Sequence, residues 1–234
     1  EFIPSSNNLL IQQLNRKQNQ TKLFIVDDLK GTTKIIYEES DEAWVDLFQL
    51  GDTYAIDYTN SFSFLKDSNS VLWASEKDGW RHLYQVSLEG KPEVLITKGE
   101  YDVIDLKYIH NRDGFLYYIA SPDNATQKYL YKTKLNGKGK NELLSPISLK
   151  GSHDYSFSSN GNYAEHTFSN HFTPNSKEFI SIANHKALTD KEKKYFELKK
   201  NREEKEEYER LERIKQTDAK IKMSNEKASR LFLK

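Results

Sequence analysis

Short apolar runs separated by Gly, Asn, Asp and Pro recur from residue 1 to about residue 186. Leu9-Leu10-Ile11 leading into Gln12–Arg16, Lys22–Asp27, Lys34–Glu38 and Ala43–Val45 are followed by Val71–Ala74, His82–Val86 and Glu93–Ile96. Runs of β-branched and aromatic residues bounded by turn formers predict strands. The dipeptides Asp78-Gly79, Glu89-Gly90, Asp113-Gly114 and Asn136-Gly137 punctuate them; such pairs supply the positive φ angles that tight hairpins require.

One phrase repeats. Lys66–Ser75 returns as Asn111–Ser121 and, more loosely, as Ser158–Thr167. A second strand follows each copy: Leu83–Val86, then Leu130–Thr133, then Glu178–Ile182. The copies lie about 45 residues apart, the length of one four-stranded propeller blade. A β-sandwich also has short strands, but nothing in it makes the same turn-strand-turn-strand phrase return at that period. About four blades fit in this region. A partial ring leaves unpaired strand edges and uncovered sheet faces at its ends, so further blades or some other cover are expected.

From residue 189 onward there is neither Gly nor Pro, and Lys, Glu and Arg dominate. Thr189-Asp190-Lys191-Glu192 has the spacing of a capping box. Glu206–Arg210 and Glu209–Arg213 stand at i, i+4, which supports an exposed helix. Between Tyr208 and Ile221 the apolar residues form a thin stripe interrupted by Asp218, short of the clean heptads of a coiled coil. The expected fold is mainly β: a partial propeller of about four blades of four-stranded antiparallel sheet over residues 1–187, and a long charged C-terminal α-helix over 188–234.

Composition narrows the function classes. The 234 residues carry 35 Lys+Arg against 35 Asp+Glu, so the charge balance gives no reason to expect a nucleic-acid partner. Cysteine is absent, which excludes disulfides, thiolate metal sites and a thiol nucleophile. No stretch approaches the roughly 20 apolar residues of a membrane span. Glu1-Phe2-Ile3-Pro4 lacks an initiator Met and the basic and apolar regions of a signal peptide, so the chain is expected to begin inside a longer product.

No Gly-x-Ser-x-Gly elbow, Gly-rich phosphate loop or His-Glu-x-x-His is present, and no catalytic residue, metal ligand or cofactor is assigned. The histidines, His82, His110, His153, His166, His171 and His185, show no metal spacing and are expected at surfaces or blade edges; His166 and His171 are not read as a ligand pair. Ser152-His153-Asp154 contains the letters of a triad, but consecutive strand residues point to opposite faces. Asp78-Gly79-Trp80-Arg81-His82 reads as a hairpin turn whose Trp covers a neighbouring blade. Asn19-Gln20-Thr21 and Asn124-Ala125-Thr126 match the glycosylation acceptor pattern, which matters only in a eukaryotic secretory context.

Leu14–Asn19 followed by Leu23–Asp27, Ala43–Asp46, Phe64–Asp67 with Trp73–Tyr84, and Leu95–Val103 resemble, in order, the N-terminal propeller of the dipeptidyl peptidase IV family. The resemblance covers about residues 1–186 and implies the C-terminal half of an eight-bladed propeller. Family members are serine peptidases of the prolyl oligopeptidase type that remove N-terminal dipeptides. Their α/β-hydrolase domain carries the catalytic Ser, Asp and His, and the propeller gates access and contacts substrate. By this resemblance Phe48 is the candidate substrate-binding residue, although Gln49 stands where some members have Arg; Glu38-Glu39 is not assigned the family's amine-binding role. The expected function is the propeller portion of such a peptidase, inactive without the hydrolase domain and meeting peptide substrates only when joined to one. Periplasmic or extracellular localisation follows from the same resemblance. The alternative is a non-catalytic interaction module that oligomerises with itself or binds a partner through its helix.

Overall fold

The computed structural model describes residues 3–4, 6–46, 62–65, 69–194 and, beyond these, 197, 198, 201, 202, 205, 206, 209, 213 and 216. The chain forms two compact units, Glu1–Lys186 and Ala187–Lys234. The first holds the sheets, laid down strictly in sequence. The first sheet has the order β1-β2-β3, with β1 Asn8–Leu14, β2 Gln20–Asp27 and β3 Thr33–Ser40. The second runs β4-β5-β6-β7, with β4 Phe62–Leu65, β5 Ser70–Ser75, β6 His82–Ser87 and β7 Val94–Leu95. The third comprises β8 Val103–His110, β9 Phe115–Ala120, β10 Tyr129–Lys134 and β11 Glu142–Leu143. The fourth comprises β12 Ser152–Phe157, β13 Tyr163–Ser169, β14 Ser176–Ser181 and β15 Lys186–Ala187. All named strand pairs are antiparallel.

The repeated phrase therefore marks the second and third strands of the last three sheets. Gly79, Gly90, Gly114 and Gly137 all have positive φ, between 66° and 95°, as the turn dipeptides predicted. Ala43–Val45 is not a strand; it is irregular chain held by a hydrogen bond from Val45 N to Gln18 O at 2.8 Å.

Sheets stack face to face, and three apolar clusters fill the spaces between them. Leu10, Leu23, Ile36 and Tyr37 of the first sheet meet Phe62, Val71, Trp73 and Val86 of the second. Leu72, Ala74 and Leu83, on the other face of the second sheet, join Val103, Leu116, Tyr118 and Ala120 of the third. Tyr117, Ile119 and Leu130 then turn the other way to meet Tyr155, Ala164 and Ile180 of the fourth. Successive residues of a strand face opposite sides, so a middle sheet covered on both faces must be apolar at nearly every position. This is why Val71-Leu72-Trp73-Ala74 is an unbroken run with all four residues at or below 2% exposure. In the first sheet a bulge opposite Leu23/Phe24 gives β3 an extra residue, so that Ile36 and Tyr37 are both buried.

Turns of one sheet lie on the preceding sheet. Lys34 Nζ donates to Glu89 O at 2.8 Å, and Lys98 Nζ donates to Gly137 O at 2.9 Å, repeating the same cap one blade later. A Cβ at Gly161, whose φ is +71°, would lie 2.4 Å from the Tyr108 ring, so the β12–β13 turn can pack there only as glycine.

In the second unit Thr189 and Glu192 form the predicted capping box: Thr189 N donates to Glu192 Oε2 at 2.9 Å, and Glu192 N to Thr189 Oγ1 at 3.4 Å. The helical backbone that follows is continuous only over 190–194 among the described residues. The expected long charged helix is therefore not supported.

Two substitutions test the alternation of faces. Leu130→Ala, at a fully buried position between the third and fourth sheets, should cost about 2–5 kcal/mol in urea denaturation. Ile11→Ala, at a position 43% exposed on the first sheet, should change stability by less than about 0.5 kcal/mol.

Candidate functional site

Each sheet junction carries a polar assembly as well as an apolar cluster. At the first junction the Glu39 carboxylate of β3 accepts hydrogen bonds from Tyr37 Oη at 2.7 Å, Trp73 Nε1 at 3.0 Å and Ser75 Oγ at 2.6 Å. Lys77 adds an ion pair to Glu93 at 2.5 Å, and its ammonium stands 4.3 Å from the centroid of the Tyr84 ring. Burial, with Glu39 alongside, pushes the Tyr37 hydroxyl far above the ordinary tyrosine value. Tyr37 thus remains a neutral donor. Glu39 thus clamps two sheets.

The second junction contains His82. It is buried, with Nδ1 3.1 Å from Thr97 Oγ1, Nε2 2.9 Å from Gly99 O, and its ring edge-on to Tyr101. The next blade partly repeats this device: Leu83 N donates to Thr97 Oγ1 at 2.9 Å, and Leu130 N donates to Ser145 Oγ at 2.8 Å. Trp80, in the turn just before His82, is 40% exposed. Tyr101 and Tyr118 share a hydroxyl contact of 2.8 Å. Burial raises both phenols, and Tyr131 nearby is pushed up to about 12 by burial first and by Asp123 second.

The third junction carries an ion-pair clamp. Lys107 reaches Asp105 at 2.5 Å within its own strand and Asp154 of the fourth sheet at 2.7 Å. Burial pushes the Lys107 ammonium down, but its two carboxylate partners outweigh this and raise it above the ordinary lysine value. Burial likewise pushes Asp154 up, and the hydrogen bond and charge of Lys107 outweigh it and hold the carboxyl low. An open groove of about 330 Å³ runs alongside, lined by Lys107, Lys128, Ser152, Asp154, Thr167 and Asn175 among others.

On the fourth sheet stands a histidine cluster. His153 Nε2 lies 2.7 Å from Leu149 O and its Nδ1 2.9 Å from His166 Nε2; His166 Nδ1 lies 3.1 Å from Glu178 Oε1. His185 Nε2 contacts Tyr155 Oη at 2.9 Å, which contacts Ser145 Oγ at 2.8 Å. The antiparallel register makes the cluster, pairing Tyr155 with His166 and His166 with Glu178. Burial pushes His153, His166 and His185 below the ordinary imidazole value.

The expectation that every histidine lies at a surface or blade edge is therefore corrected: His82, His153 and His166 are each 1% exposed. Hydrogen bonds to side chains and carbonyls across the strands make that burial tolerable. His171 is exposed and is not among the cluster. His153 and Asp154 do point to opposite faces, one buried and one exposed, so no triad forms. Phe48, the candidate substrate-binding residue, and its neighbour Gln49 lie outside the described residues. No sequence spacing signalled the cluster; only the pairing of β13 with β14 brings Glu178 to His166.

Sequential antiparallel sheets that stack face to face and share polar clamps define successive blades of a β-propeller. The chain belongs to the dipeptidyl peptidase IV (DPP IV) N-terminal region family, whose profile matches residues 1–175. It is similar to a probable dipeptidyl peptidase 4 of Emericella nidulans, 28% identical over 127 residues that make up 53% of this chain and 16% of that protein. It also resembles a dipeptidyl-aminopeptidase B of Aspergillus niger, 28% identical over 162 residues, 67% of this chain and 17% of the relative. Among solved structures, Porphyromonas gingivalis dipeptidyl peptidase 4 superposes with a TM-score of 0.63 and 25% identity, covering 78% of this chain and 24% of that one. The chain thus spans less than a fifth of the length of these curated relatives. Among the described residues no helix is long and apolar enough to cross a membrane.

Two outcomes follow for the clamps. Glu39→Ala leaves the Trp73, Ser75 and Tyr37 donors without their acceptor and should cost about 1–3 kcal/mol in urea denaturation, with partial recovery in Glu39→Gln. On the acid side, Asp154 is held low by Lys107 and Glu93 is held low by its hydrogen bond to Lys77. Folded-state values below the unfolded ones give stability that is present at neutral pH and lost as pH falls below about 4. Denaturation midpoints measured from pH 7 down to pH 2.5 should show that loss, and Lys107→Met should reduce it.

Proposed function

We propose that this chain supplies propeller blades to a serine-type dipeptidyl peptidase, where they gate access to the catalytic chamber and contribute substrate contacts. The family match over residues 1–175 carries the reading. The rigidity of the blades supports it: every sheet junction holds both an apolar cluster and a polar clamp, and a gate needs walls that keep their shape. Phe48 is proposed as a substrate contact on the strength of the family resemblance. The tyrosine hydroxyls described above stay protonated, and Ser145 Oγ is buried and engaged by Leu130 N and Tyr155. Reaction chemistry is accordingly assigned to a hydrolase domain joined to these blades, and the setting to the periplasm or cell exterior. Family membership favours this reading over a freestanding interaction module.

A segment exchange tests it. The equivalent blades of Porphyromonas gingivalis dipeptidyl peptidase 4 are replaced by residues 1–175 of this chain, and release of dipeptide from a Gly-Pro chromogenic amide is followed. The folded chimera should retain turnover, and Phe48→Ala within it should raise KM with little change in kcat. A folded chimera without turnover would contradict the proposal, as would robust hydrolysis by the 234-residue chain alone that a serine-directed inhibitor abolishes.

A further inference from the structure

We propose that His166, Glu178 and His185 form a binding site for a divalent metal ion of the zinc class in the fourth blade. One ligand atom from each residue lies within 4.8 Å of the others. The three come from separate pieces of backbone: His166 from β13, Glu178 from β14, and His185 from the turn before β15. Two imidazoles and one carboxylate are a donor set that suits zinc, leaving one coordination position for water. A tetrahedral ion with bonds of about 2.1 Å sets its ligands roughly 3.4 Å apart. His166 and Glu178 already meet that spacing at 3.1 Å, and the Glu178 side chain, 47% exposed, has freedom to adjust to an ion.

Hydrogen-bond accounting points the same way. The Leu149 carbonyl can only accept, so His153 carries its proton on Nε2. A neutral His153 then presents a lone pair at Nδ1, and His166 must donate from Nε2. That leaves a neutral His166 with a lone pair at Nδ1, 3.1 Å from a carboxylate oxygen of Glu178. In that neutral state two acceptors face each other, and either a second proton on His166 or a bound cation satisfies both. The surrounding groups match the outer shell of a metal centre, in which a ligating histidine donates its other N–H to a fixed acceptor. His153, anchored on Leu149 O, plays that part for His166, while the Tyr155 hydroxyl, held by Ser145, orients His185. Bound there, the ion would fasten β13, β14 and the turn before β15 to one another.

The test uses the full chain without an affinity tag, stripped with a chelator and titrated with zinc alone against a chromophoric competitor. One equivalent should bind, and the thermal midpoint should rise with zinc concentration. Glu178→Gln alters an exposed side chain. His185→Asn keeps a residue at home at the observed φ of +52°. Each should leave the circular dichroism spectrum unchanged and weaken zinc binding at least tenfold. Cobalt in place of zinc should give the visible absorption of a four-coordinate ion, lost in both variants. Zinc affinity that is unchanged in the two variants, or binding by the parent chain no stronger than by the double variant, would overturn the site.

Discussion

The structure depends on one constraint: a sheet in the middle of the stack has no face turned to water. Each of its strands must serve two neighbours at once, with odd positions packed one way and even positions the other. Val71 and Trp73 belong to the cluster with the first sheet, whereas Leu72 and Ala74 belong to the cluster with the third. A one-residue slip would exchange the two sets and place Trp73 where Leu72 fits. The continuous apolar run, the shape of each junction and the order of the sheets are thus consequences of a single packing rule.

The charged and histidine side chains that enter this stack have their hydrogen bonds or ion pairs completed within it. Glu39 collects three donors, His82 bonds at both ring nitrogens, and Lys107 is shared by carboxylates of two sheets. Such groups stabilise little beyond what apolar replacements of the same shape would contribute. Their value lies in direction, since a misaligned blade would strand a buried donor or charge.

Much of the fold was legible in the sequence because its signals were local. The Asp-Gly and Asn-Gly turns fixed hairpin positions, and the recurring phrase at about 45-residue spacing gave blade after blade. The short β7, β11 and β15 strands carried weaker signals, since two residues hold no alternation to read. Ala43–Val45 looked like a strand from its β-favouring composition, yet it has no partner ladder. The apolar residues that form the thin stripe of the charged tail, Tyr208 to Ile221, lie outside the described residues. The candidate site was the least legible part. His153, His166, Glu178 and His185 are separated by 13, 12 and 7 positions, intervals that mean nothing along one strand and become neighbours only through cross-strand register. Ser158–Thr167 and Glu178–Ile182 were legible as successive strands, but not the register that pairs His166 with Glu178.

A double-mutant cycle in urea denaturation tests the two-sided packing most directly, because it compares residues adjacent in sequence. The Tyr37 and Trp73 rings lie 5.5 Å apart across the first junction, while Leu72 belongs to the second. Tyr37→Leu combined with Trp73→Leu should show a coupling energy of about 0.5–1.5 kcal/mol. Tyr37→Leu combined with Leu72→Ala should be additive to within about 0.5 kcal/mol. Coupling of Tyr37 to Leu72 as strong as to Trp73, or to neither, would contradict the stacked-blade account.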